Sequence, residues 1–297
     1  MSLLIIGVVL SFVAAISWGI NAHIVRKGMI DENPFYALFL RSLFTAPILF
    51  LIVFIWKGLN GILVYLEPEI IIYVLISAML IIIGDSIFMY TLKHYPVNLI
   101  QPIVSVYPLF TTFMLIISKT EEIKPTIILG TIIIILGVIT ITGGDISGTY
   151  SHKALMLGLT AAACWGISVY LVKLILLDGR TDAMGVTGIR ILIIGIFGLI
   201  VFYSSKNARI ERSKRSNISK HNSLKFMALS GIIGWVIGAS AFFIAIQMIG
   251  AAIPTPISST NPIIASIIGI LFKYEEVSKK QFLGIVCVVI GTITIIM

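Results

Sequence analysis

Hydroxyl and amide side chains lie inside the apolar stretches of this chain in two clusters, and such side chains can bind a small polar molecule. The members of the two clusters are Gln101, Ser105, Tyr107, Thr255, Ser258, Ser259 and Asn261. Hydroxyls and amides donate and accept hydrogen bonds without adding charge. These residue types favour recognition of a substrate rather than its chemical conversion.

A proline directly follows each cluster. Pro108 and Pro262 fall close to the centres of two predicted membrane segments. Each lacks an N–H group and frees the carbonyl four residues earlier, on Val104 and Ser258, so both are predicted helix breaks. Unpaired carbonyls are tolerated at membrane depth only beside protein or water. The matched pair favours a cavity lining, and kinks that serve only helix packing are the alternative.

Three charged side chains, Arg41, Asp85 and Arg190, lie inside apolar segments. Arg41 and Asp85 are predicted to lie about 10 Å deep from the same membrane face, counting 1.5 Å per helical residue. An isolated charge there costs at least about 2.5 kcal/mol, which favours an ion pair between them. The alternative is that both arginines extend to the headgroups. Arg190 has Ala239 where Arg41 has Asp85, and should be less tightly paired.

Two tryptophans and three small polar residues complete the predicted binding cavity. Trp18 and Trp165 lie within segments and away from the membrane interface, where tryptophan is most frequent. They form either an aromatic wall for an organic substrate or ordinary core packing. The remaining candidates for the cavity are Asn21, Ser168 and Ser240.

No catalytic or metal-binding pattern accompanies these residues. Asp85 is the one clear acid inside an apolar segment, and the four histidines fall near segment ends or in loops. Intramembrane enzymes need paired acids, a nucleophile with its base, or metal ligands. We therefore expect no enzyme activity, no metal and no cofactor.

Composition places the elements that carry these residues in a lipid bilayer. The chain of 297 residues is 58% hydrophobic and 11% charged, and its mean hydropathy is +1.09. A water-soluble domain could not carry this composition without exposing apolar surface. Ten apolar runs are each long enough to cross a hydrocarbon core of about 30 Å. They cover approximately residues 3–25, 34–56, 69–92, 96–118, 126–144, 154–177, 183–204, 225–248, 250–272 and 280–297.

The ten segments form two halves that carry the same landmarks in the same order. Residues 99–141 align without a gap against residues 253–295, with about a third of positions identical. Five segments per half is an odd number, so the second copy must enter the membrane from the opposite side. The predicted fold is an all-α integral membrane protein with ten transmembrane helices in two inverted five-helix repeats, residues 1–148 and 149–297.

Loop charges predict the orientation of the chain. The net charge is +8, and seven basic residues lie between positions 206 and 225. Odd-numbered loops hold fourteen Lys and Arg residues and even-numbered loops hold five, so the positive-inside rule places the odd loops in the cytoplasm and both termini outside. Between two membrane segments, the basic stretch fits anionic lipid headgroups better than nucleic acid.

Matched small and acidic residues have structural explanations. The two glycine pairs, Gly130 with Gly137 and Gly284 with Gly291, predict helix packing within the protomer or a dimer contact, so a monomer and a homodimer both stay open. The acidic pairs at 121–122 and 275–276 are predicted to stabilise the helices that follow them as first-turn acids.

The order of these landmarks resembles the drug/metabolite transporter superfamily, in particular its EamA-like family. The resemblance rests on Trp-Gly in the first segment of each half, an arginine early in the second, and a glutamate nine residues before a glycine. It covers essentially the full chain. It implies a multi-pass cell-membrane carrier, often an exporter of amino acids or related metabolites, whose cavity is surrounded by the first, third, fourth, sixth, eighth and ninth segments. It also implies cytoplasmic termini, against the loop charges.

The sequence therefore predicts a secondary carrier that moves a small-molecule substrate by alternating access, in exchange for protons or by facilitated diffusion. Arg41, Asp85 and Arg190 are its candidates for ion pairing or coupling. A non-transporting accessory membrane subunit and an intramembrane enzyme are the alternatives. Substrate, coupling ion and direction of transport stay open.

Overall fold

The structure is a computed structural model that describes residues 2–142, 152–271 and 279–297. Within these ranges the chain is built from helices. Those of the first half are α1 (Ser2–Gly28), α2 (Pro34–Lys57), α3 (Asn60–Leu63), α4 (Pro68–His94), α5 (Val97–Val104), α6 (Tyr107–Ser118) and α7 (Pro125–Thr142). Those of the second half are α8 (His152–Ile175), α9 (Ala183–Ser204), α10 (Lys206–Ser213), α11 (Asn217–Gly231), α12 (Ser240–Ile249), α13 (Pro254–Ser258), α14 (Asn261–Leu271) and α15 (Lys279–Ile296).

Seven helical stretches of the described chain are long and apolar enough to cross a membrane. Four of them are in the first half and three in the second, and the apolar parts of α7 and α15 are shorter. Many large apolar side chains point outward, including Leu51, Ile55 and Ile117, each more than half exposed. An apolar outer surface of this kind requires lipid, so the chain is a multi-pass membrane protein.

Each of the two proline-containing polar clusters interrupts its helix. Helix α5 ends at Val104 and α6 begins at Tyr107, while α13 ends at Ser258 and α14 begins at Asn261. The predicted membrane segments over 96–118 and 250–272 therefore each contain two helices. The interruptions lie just before Pro108 and Pro262, because a proline fits the first turn of a helix, where its missing N–H is not needed.

The basic stretch between positions 206 and 225 is helical, although the sequence suggested a loop. It forms α10 and the first half of α11, and α11 begins eight residues before the predicted start of the eighth segment at residue 225. Helix α11 continues through a π-helical segment, Ile232–Ala239, into α12. Insertions of π-helix inside an α-helix occur frequently at functional sites.

The two halves are interleaved: α1 packs on α11 and α12, α4 packs on α8, and α2 packs on α9. Helix α7 packs along α15, with Gly130 against the backbone of Gly291 and Gly137 against that of Gly284. The matched glycines therefore serve packing within one chain. The predicted boundary between the halves, at 148–149, and the acids Glu275 and Glu276 lie outside the described residues.

Buried polar contacts connect the ends of the helices. Glu32, which follows α1, is 1% exposed and lies 2.6 Å from a guanidinium nitrogen of Arg215. At another connection, the Tyr65 hydroxyl donates to the Asp182 carbonyl and accepts from the Asp182 N–H. Burial raises the pKa of Tyr65 above its usual value, so the hydroxyl stays protonated as a donor.

Glu121 has a different role from the predicted one. Helix α7 begins at Pro125, so Glu121 is not in its first turn. Its carboxylate instead accepts hydrogen bonds from the N–H groups of Ala251 and Ala252, at 2.7 and 3.0 Å, and lies 3.0 Å from the ammonium of Lys173. Glu121 thereby ties the first half of the chain to the turn between α12 and α13.

We expect Gly137→Leu to separate α7 from α15. A Cβ atom at this position would lie 2.7 Å from the Gly284 carbonyl oxygen, a backbone atom that cannot move aside. Overpacking typically costs about 1–3 kcal/mol, so the thermal unfolding midpoint in detergent should fall by several degrees. The control is Leu136→Ala, because the Leu136 side chain is 56% exposed on the outer face of the same helix. Equal midpoints for both variants would show that this glycine contact does not hold the helices.

Candidate functional site

A cavity of about 130 Å³ lies at the centre of the helix bundle. Helices from both halves contribute to its wall, and the wall combines charged, amide and aromatic side chains. Its lining residues are Trp18, Asn21, Arg41, Ile81, Asp85, Phe88, Gln101, Tyr107, Trp165, Val169, Thr187, Arg190, Ile191, Ile194, Trp235, Ala239, Phe242, Phe243 and Asn261. Concave sites of mainly apolar wall with a few converging polar groups are typical of ligand binding.

An ion pair between Arg41 on α2 and Asp85 on α4 occupies one side of this cavity. The Arg41 Nη1 atom donates to Asp85 Oδ2 at 2.8 Å, and both residues are buried. The Trp165 indole donates to the other carboxylate oxygen at 3.0 Å. The Arg41 guanidinium also stacks 3.9 Å from the ring centroid of Trp235. Three helices besides that of Asp85 therefore converge on this carboxylate and its partner.

Glycines allow the two matched tryptophans to approach neighbouring helices closely. A Cβ atom on Gly84 would lie 2.8 Å from the Trp165 indole nitrogen, and one on Gly238 would lie 2.8 Å from that of Trp18. The Trp18 indole donates to the carbonyl of Gly234 in the π-helical segment at 2.9 Å. The two tryptophans thus take matching places, but Trp165 meets a carboxylate where Trp18 meets a backbone carbonyl.

Arg190 on α9 has a neutral hydrogen-bonding partner. Its Nη2 atom donates to the Ser168 hydroxyl at 2.7 Å, and its guanidinium carbon lies 5.2 Å from the ring centroid of Phe243. Ser168 in turn donates to the carbonyl of Ser77. Within the described part of the chain, no carboxylate forms an ion pair with Arg190.

The two helix interruptions are joined to each other by side-chain hydrogen bonds. The Asn261 amide oxygen accepts from the Gln101 amide at 2.7 Å and from the Ser105 hydroxyl at 3.1 Å. The Asn261 amide nitrogen donates to the carbonyl of Ser258, which the helix break leaves available. The Tyr107 and Ser258 hydroxyls are hydrogen-bonded as well. Polar side chains thus supply the partners that a continuous helix would have supplied from its backbone.

The predicted cavity residues separate into two groups in the structure. Six of them line the cavity: Trp18, Asn21, Gln101, Tyr107, Trp165 and Asn261. The other six are buried in the walls behind it: Ser105, Ser168, Ser240, Thr255, Ser258 and Ser259. Four of this second group bond to a backbone carbonyl three or four residues earlier in the chain, as Ser259 does to Pro256.

The sequence missed four further aromatic residues of the wall, which are Phe88, Trp235, Phe242 and Phe243. A signal for two of these was present, because Phe88 and Phe242 occupy the same place after the matched glycines in GDSIFMY and GASAFFI. The resemblance also left out the second and seventh segments, which contribute the two arginines through α2 and α9. The arginine side chains on these helices are buried beside partners at the centre of the bundle and do not extend to the headgroups.

Comparison with known proteins decides the family. The model of the EamA-like transporter family matches the chain twice, at residues 5–143 and 152–297. The chain belongs to the EamA-like transporter family. The resemblance drawn from the sequence is thereby confirmed, and the family indicates that this member is a membrane transporter.

Relatives of this EamA-like protein extend over one or both halves. An uncharacterized transporter of Archaeoglobus fulgidus is 26% identical over 291 residues, 98% of each chain. An uncharacterized protein of Methanocaldococcus jannaschii is 28% identical over 143 residues, which are 47% of this chain and 93% of that one. A solved crystal structure shares the fold with a TM-score of 0.75 at 12% identity, covering 97% of this chain and 95% of the other.

We expect the hydrogen bond between Gln101 and Asn261 to give a measurable coupling energy in a double-mutant cycle. Such bonds within membrane proteins average about 0.6 kcal/mol and reach about 1.7 kcal/mol. Unfolding of Gln101→Ala, Asn261→Ala and the double variant in mixed micelles yields this energy. Gln101→Ala combined with Thr294→Ala, whose hydroxyl bonds within its own helix, should be additive. Additive effects for Gln101 and Asn261 too would refute the tie between the interruptions.

Proposed function

We propose that this EamA-like protein is a secondary carrier that exports amino acids or related small metabolites through its central cavity by alternating access. The observation that carries the proposal is the cavity itself, with charged, amide and aromatic side chains inside a bundle whose outer surface is apolar. Buried polar and charged groups within membrane proteins are costly, and they commonly mark the path of a substrate or ion.

We further propose that the chain comprises ten transmembrane segments in two inverted repeats, residues 1–148 and 149–297. Two matches to one family model support this arrangement, as does a relative of about half the length. In an inverted pair, the same sequence can take two conformations that are exchanged between the halves. Access to the cavity then alternates between the two membrane faces without additional machinery.

The interrupted helices are suited to the movement that alternating access requires. At the break after Ser258, the Asn261 side chain bonds to the carbonyl that a continuous helix would have bonded through its backbone. Partners such as Gln101 and Asn261 can exchange without rupturing a helix. We infer that each interruption is a hinge and that the bonds between the two breaks hold the conformation seen here.

Asp85 is our candidate for the group that couples transport to protons. Its carboxylate is the partner of Arg41 and the acceptor of the Trp165 indole, so its charge holds α2, α4 and α8 together. A proton on Asp85 removes half of the ion pair and loosens these contacts. Protonation of Asp85 would thereby shift the equilibrium between the two conformations of the bundle.

The membrane that this carrier occupies is, we propose, the cell membrane, with α10 and the basic first half of α11 on its cytoplasmic side. These helices bring Arg209, Lys214, Lys220 and their basic neighbours to one end of the bundle. Anionic lipids are concentrated in the cytoplasmic leaflet and attract such segments. This orientation follows the loop charges and places both termini outside.

Efflux from proteoliposomes tests the carrier proposal directly. Vesicles containing the protein are loaded with labelled amino acids or nucleosides and followed with and without a pH gradient. We expect saturable loss of at least one amino acid that protein-free vesicles do not show. A panel in which every solute leaks at the protein-free rate would contradict transport and favour an accessory role.

We expect Asp85→Asn to abolish movement driven by a pH gradient while exchange of solute for solute continues. Asparagine keeps an acceptor for Trp165 but cannot take up a proton. The measurement compares gradient-driven uptake with counterflow in the same vesicles. Glu69→Gln, which removes an exposed acid from the first turn of α4, is the matched control. Unchanged proton dependence in Asp85→Asn would leave Asp85 as a structural partner of Arg41.

A further inference from the structure

The charges that line the central cavity do not balance. Arg41 and Arg190 bring two guanidinium groups, and Asp85 is the one acid among the lining residues. Asp85 pairs with Arg41 at 2.8 Å, so the surplus positive charge is at Arg190. A buried charge without a partner is strongly unfavourable in an apolar bundle, which makes an uncompensated cation at this position a feature that requires an explanation.

Arg190 is held in place with donors still free. It is 4% exposed, one nitrogen bonds to Ser168, and the ring of Phe243 lies near its guanidinium. Its Nε atom is buried and has no hydrogen-bond partner in the described chain. A guanidinium presents five N–H donors in a planar fork that fits the two oxygens of a carboxylate. Ser168 and Phe243 therefore orient a charged group, and no carboxylate of the described residues pairs with it.

The two halves of the chain use the same arginine differently. Arg41 and Arg190 occupy matched positions, but Asp85 corresponds to Ala239, which lines the cavity without a charge. In the first half the protein supplies its own carboxylate to its arginine. In the second half the methyl group of Ala239 takes the place of that carboxylate. This leaves space, and the positive charge of Arg190, for the anionic group of a bound ligand.

The rest of the wall is suited to an apolar body. Phe242, Ile191 and Ile194 line the cavity together with Trp18, whose ring packs edge-on against that of Phe242 at 5.1 Å between centroids. A volume of about 130 Å³ restricts this body to a small group. Gln101 also lines the cavity, and its buried Oε1 atom has no hydrogen-bond partner among the described residues, so it could accept from an N–H group of the ligand.

We propose that Arg190 binds the carboxylate of the transported molecule, and that the substrates are small carboxylates with an apolar body. The proposal rests on the carrier function given above and specifies its substrate class. Amino acids and simple carboxylic acids share the chemistry that Arg190 recognises. They differ in the ammonium group, for which the Gln101 carbonyl oxygen is the available acceptor.

Three probes with the same branched hydrocarbon body distinguish amino acids from simple carboxylic acids as the substrates. L-leucine carries a carboxylate and an ammonium group, 4-methylpentanoate carries the carboxylate alone, and 3-methylbutylamine carries the ammonium alone. Calorimetric titration of the full chain in lipid nanodiscs should give binding of one or both carboxylates and none of the amine. Tighter binding of leucine than of 4-methylpentanoate identifies amino acids as the class, and the reverse identifies simple acids. Binding of the amine alone, or of no probe, would overturn the proposal.

Variants at Arg190 test the role of its charge. Arg190→Gln should weaken binding of the carboxylate probe at least tenfold, which corresponds to about 1.4 kcal/mol. Arg190→Lys keeps the charge but loses the planar fork, and should bind with intermediate affinity. Arg209→Gln removes an exposed arginine beside the bundle and should bind like the unmodified chain. Equal affinities for all four proteins would exclude Arg190 as the anion site.

A fourth variant tests the same idea without removing the arginine. Ala239→Asp gives the second half the acid that the first half has, so the protein itself neutralises Arg190. We expect at least tenfold weaker binding of the carboxylate probe, together with an unfolding midpoint no lower than that of the unmodified chain. Undiminished binding in a folded Ala239→Asp protein would contradict the proposal.

Flux measurements keep this proposal separate from the carrier function. In proteoliposomes, movement of 3-methylbutylamine but of neither carboxylate would leave a carrier whose substrate class we assigned wrongly. Carboxylates that bind in nanodiscs through Arg190 but never cross the vesicle membrane would leave the binding site intact and refute transport.

Discussion

The need to satisfy every buried charge without water governs this structure. In the bilayer interior a charged side chain needs a partner, either inside the protein or on a bound ligand. The pair of Arg41 and Asp85, with its additional contacts to Trp165 and Trp235, meets this need and joins helices from both halves. Around it the bundle encloses a cavity instead of closing into a continuous apolar core.

The same constraint explains the geometry of the interrupted helices. A proline at position 108 or 262 leaves backbone groups that lipid cannot satisfy. Gln101, Asn261 and the hydroxyls around them bond to one another, and Asn261 also bonds to the freed carbonyl of Ser258. Polar side chains at these breaks are therefore necessary for stability, and they also provide contacts that a moving helix can exchange. The same residues therefore serve both the stability of the bundle and the helix movement that transport requires.

How far the sequence allowed prediction differs between the fold and the site. The apolar helices and the polar character of the interrupted segments follow from composition, which is a local property, and the family was indicated by the resemblance in the order of the matched landmarks. Segment boundaries were less accurate around residues 105 and 217, where helix geometry depends on neighbours. Half of the predicted cavity residues lie behind the wall, because a hydroxyl in a helix can equally well bond its own backbone, as Ser258 does to Thr255.

The amino-acid sequence alone indicates that this chain spans a membrane and that its two halves share one pattern. It also requires Arg41 and Arg190 either to be buried among partners or to extend to the surface. The packing of the helices selects between these two outcomes, because pairing depends on which helices meet. It brought Asp85 to Arg41 and left Arg190 with Ser168 and Phe243. It also assembled Phe88, Trp235 and Phe242 into one wall, since residues distant in sequence converge only when the helices pack.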